Sequence, residues 1–184
     1  MRCPKDRQVD LITSSLERGL TVEHCPTCEG NWIPVESYEV WREPQRHPGD
    51  VPLPKTLEID FEPSPFDARA ALCPACSCYL ARAKVGISHP FYVERCPNCG
   101  GIWCDRGEWE VLKELGLHVA IEQLFSNEWQ GRVREMSQTE QERRATINKL
   151  GEDLAKQLFE LADRLENHPN GDFGVAYLMR RFDK

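Results

Sequence analysis

The sequence predicts two small metal-stabilised β modules followed by a mainly α-helical C-terminal region. Two observations predict the β modules. Four cysteines stand in two closely spaced pairs in the middle of the chain, and nearly the same phrase occurs earlier with three cysteines. A third observation predicts the helices, because the apolar residues change after Asp105 to the spacing that places them on one helix face.

Composition favours a reduced, metal-binding chain over a disulfide-bonded one. The chain has 184 residues, nine cysteines and a formal net charge of −7. It shows no run of about 18 apolar residues and no apolar signal-peptide core at its start, so we expect no membrane association and a cytoplasmic location. Cytosolic thiols stay reduced, and an odd number of cysteines fits a disulfide framework poorly. Nucleic acid stays possible as a partner, but the acidic charge does not support it.

One module occurs twice. Residues 3–41 align with residues 73–112 with one inserted residue. The matching positions are Cys3 and Cys73, Asp6 and Cys76, Cys25 and Cys96, Cys28 and Cys99, Gly30 and Gly101, and Trp32 and Trp103. We therefore predict a tandem repeat in which the two copies share one fold.

The second copy has the spacing of a structural zinc site. Two C-x2-C pairs are separated by nineteen residues, and a hairpin of strands at 79–85 and 91–95 brings the pairs together. Two thiolates on each tight turn supply the four corners of a tetrahedron. The predicted ligands are Cys73, Cys76, Cys96 and Cys99. A redox pair is less favoured because such a pair usually opens a helix in a βαβ unit.

The first copy departs from this pattern at one ligand. Its predicted zinc ligands are Cys3, Asp6, Cys25 and Cys28, since a carboxylate can also bind zinc. Three alternatives stay open. His24 is another candidate for the fourth ligand, the copy folds without metal, or the fourth position is open and catalytic.

Four other residues have simpler interpretations. Cys78 and Cys104 fall outside the quartet and are expected to be ordinary thiols, with Cys104 as an alternative ligand. Trp32 and Trp103 are expected to supply the large ring that so small a module needs in its core, because a domain below about 40 residues cannot bury enough surface alone.

The segment CPNCGGIWCDRGEWEVL, residues 96–112, resembles the TFIIB-type zinc ribbon of the transcription factor zinc-finger family. The positions that match its signature are Cys96, Pro97, Cys99, Gly101, Trp103, Asp105, Gly107 and Glu108. The first copy lacks both the second cysteine and the Asp-x-Gly-Glu element. The resemblance implies bound zinc and a likeness to a general transcription factor's ribbon, which docks on RNA polymerase. Zinc ribbons also bind DNA, RNA or proteins, so the fold does not decide the function.

The rest of the chain separates into a linker and helices. Six prolines between residues 42 and 66 predict a semi-extended linker, with a short strand at 57–61. A short helix is expected at 106–116, and an apolar stripe runs from residue 118 to 165, with a break expected at Ser126, Asn127 or Gly131. The stretch NHPNG at 167–171 predicts a helix stop. The apolar tail, 172–184, is expected to form a last helix or a docking peptide.

These features predict four regions and a non-catalytic function. The regions are a degenerate zinc ribbon at 1–41, the linker at 42–66, a zinc ribbon at 67–112 and a helical region at 113–184. We expect an adaptor that contacts another protein, or itself, through its ribbons and the 118–165 stripe. A nucleic-acid-binding or polymerase-associated regulator is the alternative. An enzyme is least favoured, because no paired nucleophile and base is recognisable.

Overall fold

The computed structural model describes residues 1–45 and 59–183. These form two compact units, Met1–Arg134 and Glu135–Lys184. Residues 46–58 of the predicted linker lie outside the described residues, and they include Leu57 of the strand expected at 57–61. Within the described part of that stretch, Ile59 and Phe61 belong to no strand.

Each repeat folds as three strands and a helix. The first contains β1 (Ile12–Glu17), β2 (Leu20–His24), β3 (Asn31–Ile33), α1 (Val35–Arg42) and a 3₁₀ turn (Glu43–Gln45). The second contains β4 (Ala81–Val85), β5 (Phe91–Arg95), β6 (Ile102–Cys104) and α2 (Glu108–Glu114). The two strands and the short helix predicted for the second copy are thus confirmed, within two residues at each end.

The two repeats share one six-stranded sheet, with the order β1-β2-β3-β6-β5-β4. The join is the antiparallel pair β3 and β6, in which Trp32 lies opposite Trp103. Because these tryptophans are equivalent in the repeat, the join relates the two copies by an approximate twofold axis. Sequence reasoning had treated the copies as separate modules, and the four domain boundaries stay a prediction.

A reciprocal glycine–tryptophan contact closes the join. A Cβ atom added to Gly30 would lie 2.2 Å from Cζ2 of Trp103, and one added to Gly101 would lie 2.2 Å from Cζ2 of Trp32. Both distances are far inside van der Waals contact, so each ring lies directly against the other copy's glycine backbone. Trp32 is 2% exposed and Trp103 is 0% exposed. One apolar cluster therefore contains both tryptophans and cysteines from both repeats, where the sequence predicted a separate ring for each module.

A second, larger apolar cluster lies under the helices of the first unit. It joins residues of five strands to α1, α2 and the segment that follows α2. Its fully buried members include Leu20, Ile33, Phe91, Leu112, Leu117, Ile121 and Leu124. Burying each of these side chains contributes about 1.5–3 kcal/mol. The first helical part of the C-terminal half thus belongs to the core of the double ribbon.

The C-terminal helices are α3 (Ile121–Leu124), α4 (Asn127–Leu150), α5 (Glu152–Glu166) and α6 (Gly171–Phe182). The break predicted near 126–127 and the stop at 167–171 are confirmed. Gly131 does not interrupt α4. Gly151 does end it, with a φ of +79°, and the sequence prediction did not include this break.

The predicted stripe from 118 to 165 does not form one surface. Its first part, Ile121, Leu124, Trp129 and Val133, is buried in the first unit. Its second part, Leu150, Leu154, Leu158 and Leu161, keeps 38–54% of its surface exposed. The first part packs into the larger apolar cluster of the first unit, and the second part belongs to the second unit. Among the described residues, no helix combines the length and apolarity needed to cross a membrane.

Candidate metal centres

The predicted ligands stand on four tight turns of one geometry. In each turn the carbonyl of the first cysteine accepts a hydrogen bond from the amide four residues later, at 2.9, 2.9, 2.9 and 3.0 Å. The donors are Arg7, Glu29, Ser77 and Gly100. All four have positive φ angles, from 58° to 76°, although only one is glycine. This conformation is what turns each pair of ligand positions towards one point.

The amides inside these turns point at the sulfurs. The amide three residues after each first cysteine donates to its Sγ atom at 3.3–3.5 Å. Hydrogen bonds of this kind favour the thiolate over the thiol. The four donors are the amides of Asp6, Cys28, Cys76 and Cys99. The turn at Asp6 is therefore built in the same way as the three turns that carry a second cysteine.

The second repeat brings its four predicted ligands together. Their ligand atoms all lie within 4.8 Å of one another. The Sγ atoms of Cys73 and Cys99 are 3.6 Å apart, and those of Cys76 and Cys96 are 3.4 Å apart. A zinc tetrahedron with Zn–S bonds of about 2.3 Å has sulfurs about 3.8 Å apart. Four thiols at this spacing fit zinc with no open coordination position.

The first repeat brings together three of its four predicted ligands. Cys3, Cys25 and Cys28 are all buried and have their sulfurs within 4.8 Å of one another, with Cys3 and Cys28 at 3.5 Å. Asp6 is half-buried and lies outside this group, and its Oδ1 accepts the amide of Gln8 at 3.3 Å. The backbone places Asp6 at the fourth corner but its carboxylate points elsewhere. Its role as a ligand stays a prediction.

One thiol of each group has a lowered pKa. The hydrogen bond from Cys28 lowers the pKa of Cys3 to about 6. The backbone amide of Cys78 lowers the pKa of Cys76 to about 6. Since a metal binds the thiolate form, both groups hold a thiol that ionises readily before any metal charge is added. Two groups are therefore positioned to bind zinc, and the first is the less complete.

His24 and the two remaining cysteines lie outside both thiol groups. His24 Nδ1 is 3.0 Å from Oδ1 of Asn31, with which it shares a hydrogen bond. Cys78 is half-buried. Cys104 is fully buried in β6, and burial raises the pKa of its thiol well above the usual value. A thiol in that environment stays protonated and behaves as a small apolar side chain.

Sequence reasoning missed a buried polar network that links the repeats. Lys5, from the first repeat, donates to Glu94 Oε1 of the second at 2.8 Å. It also donates to the carbonyl oxygens of Phe66 and Arg69 at 3.3 and 3.1 Å. The side chains of Lys5 and Glu94 are each 1% exposed. Lys5 aligns with an alanine in the other copy, so nothing in the repeat pattern indicated this pair.

The thiol-bearing turns on these paired hairpins define a zinc-binding protein built of two ribbons. Residues 72–115 match the family model described as transcription factor zinc-finger, the TFIIB-type zinc ribbon. The resemblance stated for the second copy and the predicted fold class are thereby confirmed. The matched range does not include the first copy. Comparison with curated proteins and with solved structures finds no match.

We expect zinc analysis to distinguish the two sites. Wild type should carry two zinc ions per chain, and Asp6→Ala should carry about one after dialysis against a weak chelator. The reason is that structural zinc is four-coordinate and the first group offers three thiolates. Asp10→Ala is the matched control, because Asp10 is an exposed acid of the same segment. Two ions retained in Asp6→Ala would show that the thiolates suffice without this carboxylate.

Proposed function

We propose that this chain is a non-catalytic adaptor in which the zinc ribbons form a scaffold and the helical unit binds another protein. The observation that carries the proposal is an apolar groove between α5 and α6. This groove belongs to the second unit, Glu135–Lys184. In this proposal the groove binds the partner, and the zinc sites stabilise the fold.

Two glycines let α5 and α6 meet closely at one end. A Cβ atom on Gly171 would lie 1.8 Å from the carbonyl oxygen of Leu165. One on Gly174 would lie 2.6 Å from Cδ2 of the same leucine. The helices are in contact there and leave a groove along the rest of their apolar faces, because larger side chains line it.

The groove is large and mainly apolar. Its volume is about 670 Å³, which is in the range of a specific binding site. Its walls are Leu158, Leu161, Ala162, Leu165, Glu166, His168, Pro169, Gly171, Asp172, Val175, Leu178 and Met179. Val175 is 46% exposed and Met179 is 68% exposed. Leucine and methionine walls of this kind typically receive the apolar face of an amphipathic helix.

The zinc sites support a structural role for the metal. Four thiolates in the second repeat leave no position for water or substrate, whereas catalytic zinc keeps one open. The carboxylates of Asp67, Glu94, Asp105 and Glu108 are buried in the first unit. We infer that zinc stabilises the ribbons as a scaffold and that the chain functions through contacts with another protein.

A transcriptional regulator that binds nucleic acid is the second candidate. The match of residues 72–115 to the transcription factor zinc-finger family favours it. The formal net charge of −7 counts against a phosphate-binding surface. Affinity for DNA or RNA that falls steeply with salt would favour this candidate over the adaptor.

Photo-crosslinking tests the groove. A photoreactive amino acid at position 158 of the full chain should give, in cells, one discrete adduct with a second protein. Leu161→Arg should abolish that adduct, because a charge would then have to be buried in the apolar interface. Zinc content should stay at two ions per chain, since Leu158 and Leu161 lie in the other unit. The readout is the mass of the adduct.

The matched control places the same group at position 156. Lys156 is exposed on α5 but lies two residues from Leu158, on the opposite side of the helix. Equal crosslinking at 156 and 158 would contradict a specific groove. An adduct of twice the chain mass would make the partner a second copy, the self-association that the sequence also allowed.

A further inference from the structure

Three buried carboxylates converge in the second ribbon, away from both thiol groups. Asp67, Asp105 and Glu108 offer oxygen atoms that all lie within 4.8 Å of one another. They are 7%, 3% and 0% exposed. Asp67 lies before Cys73, the first predicted zinc ligand of the second ribbon, Asp105 follows β6 and Glu108 begins α2. Such acids are almost never fully buried unless a partner neutralises them.

Each carboxylate accepts a hydrogen bond through one of its two oxygens. The amide of Tyr92 donates to Oδ1 of Asp67 at 2.8 Å, and Nε1 of Trp103 donates to Oδ1 of Asp105 at 2.7 Å. The amide of Asp105 donates to Oε2 of Glu108 at 2.8 Å. Outer hydrogen bonds of this kind are what orient ligating carboxylates around a metal ion.

The remaining oxygens of two of these acids have no hydrogen-bond donor. Oδ2 of Asp105 and Oε1 of Glu108 are buried without one in the part of the chain that the structure describes. The cation nearest to Oδ2 of Asp105 is Nζ of Lys5, at 3.7 Å. Lys5 is closer to Glu94, at 2.8 Å. A buried anionic oxygen without a donor is costly, which indicates that a positive ligand belongs between these atoms.

The local charge leaves room for a divalent cation. The buried acids here are Asp67, Glu94, Asp105 and Glu108, and the two cations in contact with them are Lys5 and Arg82. Four negative charges against two positive ones leave two uncompensated. Burial raises the pKa of both Asp105 and Glu108, and the neighbouring acids add to the rise. One divalent ion would compensate the two remaining negative charges.

We propose that Asp67, Asp105 and Glu108 form a third metal site, which binds a hard divalent cation such as Mg²⁺ or Mn²⁺. All donors at the site are carboxylate oxygens, which suit these ions. Zinc prefers the two thiol groups elsewhere in the chain. The site ties the segment before Cys73 to the start of α2, so cation binding stabilises the second ribbon through residues other than its zinc ligands.

Manganese titration of the zinc-loaded full chain tests the proposal. Bound Mn²⁺ loses the sharp paramagnetic resonance signal of the free ion, so the signal gives stoichiometry and affinity. We expect one saturable Mn²⁺ per chain, displaced by excess Mg²⁺, and a rise in Tm when it binds. Zinc measured in the same samples should stay unchanged, because Mn²⁺ competes poorly for thiolates.

Two isosteric variants locate the site. Glu108→Gln keeps an oxygen for the amide of Asp105, and Asp67→Asn keeps one for the amide of Tyr92. Each should weaken Mn²⁺ binding at least about tenfold, the loss seen even for outer-sphere partners. Glu110→Gln, an exposed acid of the same helix, should bind as wild type. Unchanged zinc content and near-ultraviolet circular dichroism identify the variants that are folded.

Three results would overturn the third site. The first is no saturable Mn²⁺ in the wild type. The second is equal binding by wild type and both variants, which would assign the ion to surface acids. The third is a Glu108→Gln chain that is more stable than wild type while Mn²⁺ leaves both unchanged. In that case a proton held by Glu108, and not a metal ion, would neutralise the cluster.

Discussion

Cys96→Ser is expected to unfold the second ribbon and to lower bound zinc from two ions per chain to one or fewer. Cys96 is 1% exposed and contributes a thiol to a group with no spare ligand. Structural zinc contributes about 10–16 kcal/mol of apparent binding free energy in zinc-finger peptides. A whole domain has a net free energy of unfolding of about 5–15 kcal/mol. Losing zinc from this site therefore costs more free energy than the folded ribbon can lose.

Unfolding should extend beyond the mutated turn. The turn after Cys96 leads into β6, and β6 pairs with β3 of the other repeat. We therefore expect the first repeat to lose its sheet partner and its tryptophan contact as well. Circular dichroism and zinc analysis on the full chain report both effects.

Cys78→Ser is the matched control for Cys96→Ser. Cys78 lies two residues after a predicted ligand but outside the group of four. Its replacement should keep two zinc ions per chain and the wild-type spectrum. If Cys96→Ser retained two zinc ions and a wild-type Tm, the four-thiolate site would be wrong.

The spacing of the cysteines predicted the parts of the site that are local. A C-x2-C turn is decided by a few neighbouring residues, and a hairpin of suitable length brings two turns together. For that reason the grouping of Cys73, Cys76, Cys96 and Cys99 could be expected from the sequence. The conformation of Arg7, Glu29 and Ser77 could not, because positive φ in non-glycine residues is imposed by the turn as a whole.

The join between the repeats could not be predicted, because it depends on contacts between distant segments. Gly30 and Gly101 are equivalent positions of the repeat. Each is the surface on which the tryptophan of the other repeat lies. A repeat alignment shows which residues are equivalent but not which equivalent residues touch. An approximate twofold axis through Trp32 and Trp103 is evident only once β3 and β6 are paired.

The acidic cluster had a partial signal in the sequence. Asp105 and Glu108 belong to the signature element that the second copy shares with its family. Asp67 lies outside that element and Lys5 lies in the other repeat, so neither could be associated with it from spacing.

The apolar stripe was predicted as one continuous surface for a similar reason. Periodicity identifies a helix face, but the residues that cover that face are decided by the tertiary fold.

Lys5→Met is expected to destabilise the chain by about 3–5 kcal/mol, the cost of removing one partner of a buried ion pair. Among the described residues, Glu94 would keep the ion pair with Arg82, whose Nε is 3.6 Å away and whose side chain is 25% exposed. The carbonyl oxygens of Phe66 and Arg69 would lose their donor as well. Chemical denaturation of the zinc-loaded chain measures the loss.

The loss should be larger at pH 8 than at pH 6. Burial raises the pKa of Glu94 to about 7 even with Lys5 beside it. An acid whose pKa is raised by folding favours the folded state only while it is protonated, so its stabilising effect disappears as pH rises through that value. Without Lys5 the charged carboxylate has less compensation, and the penalty above pH 7 increases.

A double-mutant cycle separates this pair from general damage to the core. Glu94→Gln removes the charge with little change in shape, and the double variant Lys5→Met, Glu94→Gln should recover most of the stability lost in Lys5→Met. The coupling free energy should exceed about 1 kcal/mol, as expected for residues in direct contact. Comparing variants at one pH cancels the pH dependence of zinc binding. Additive losses would mean that Lys5 acts through packing alone and not through its ion pair with Glu94.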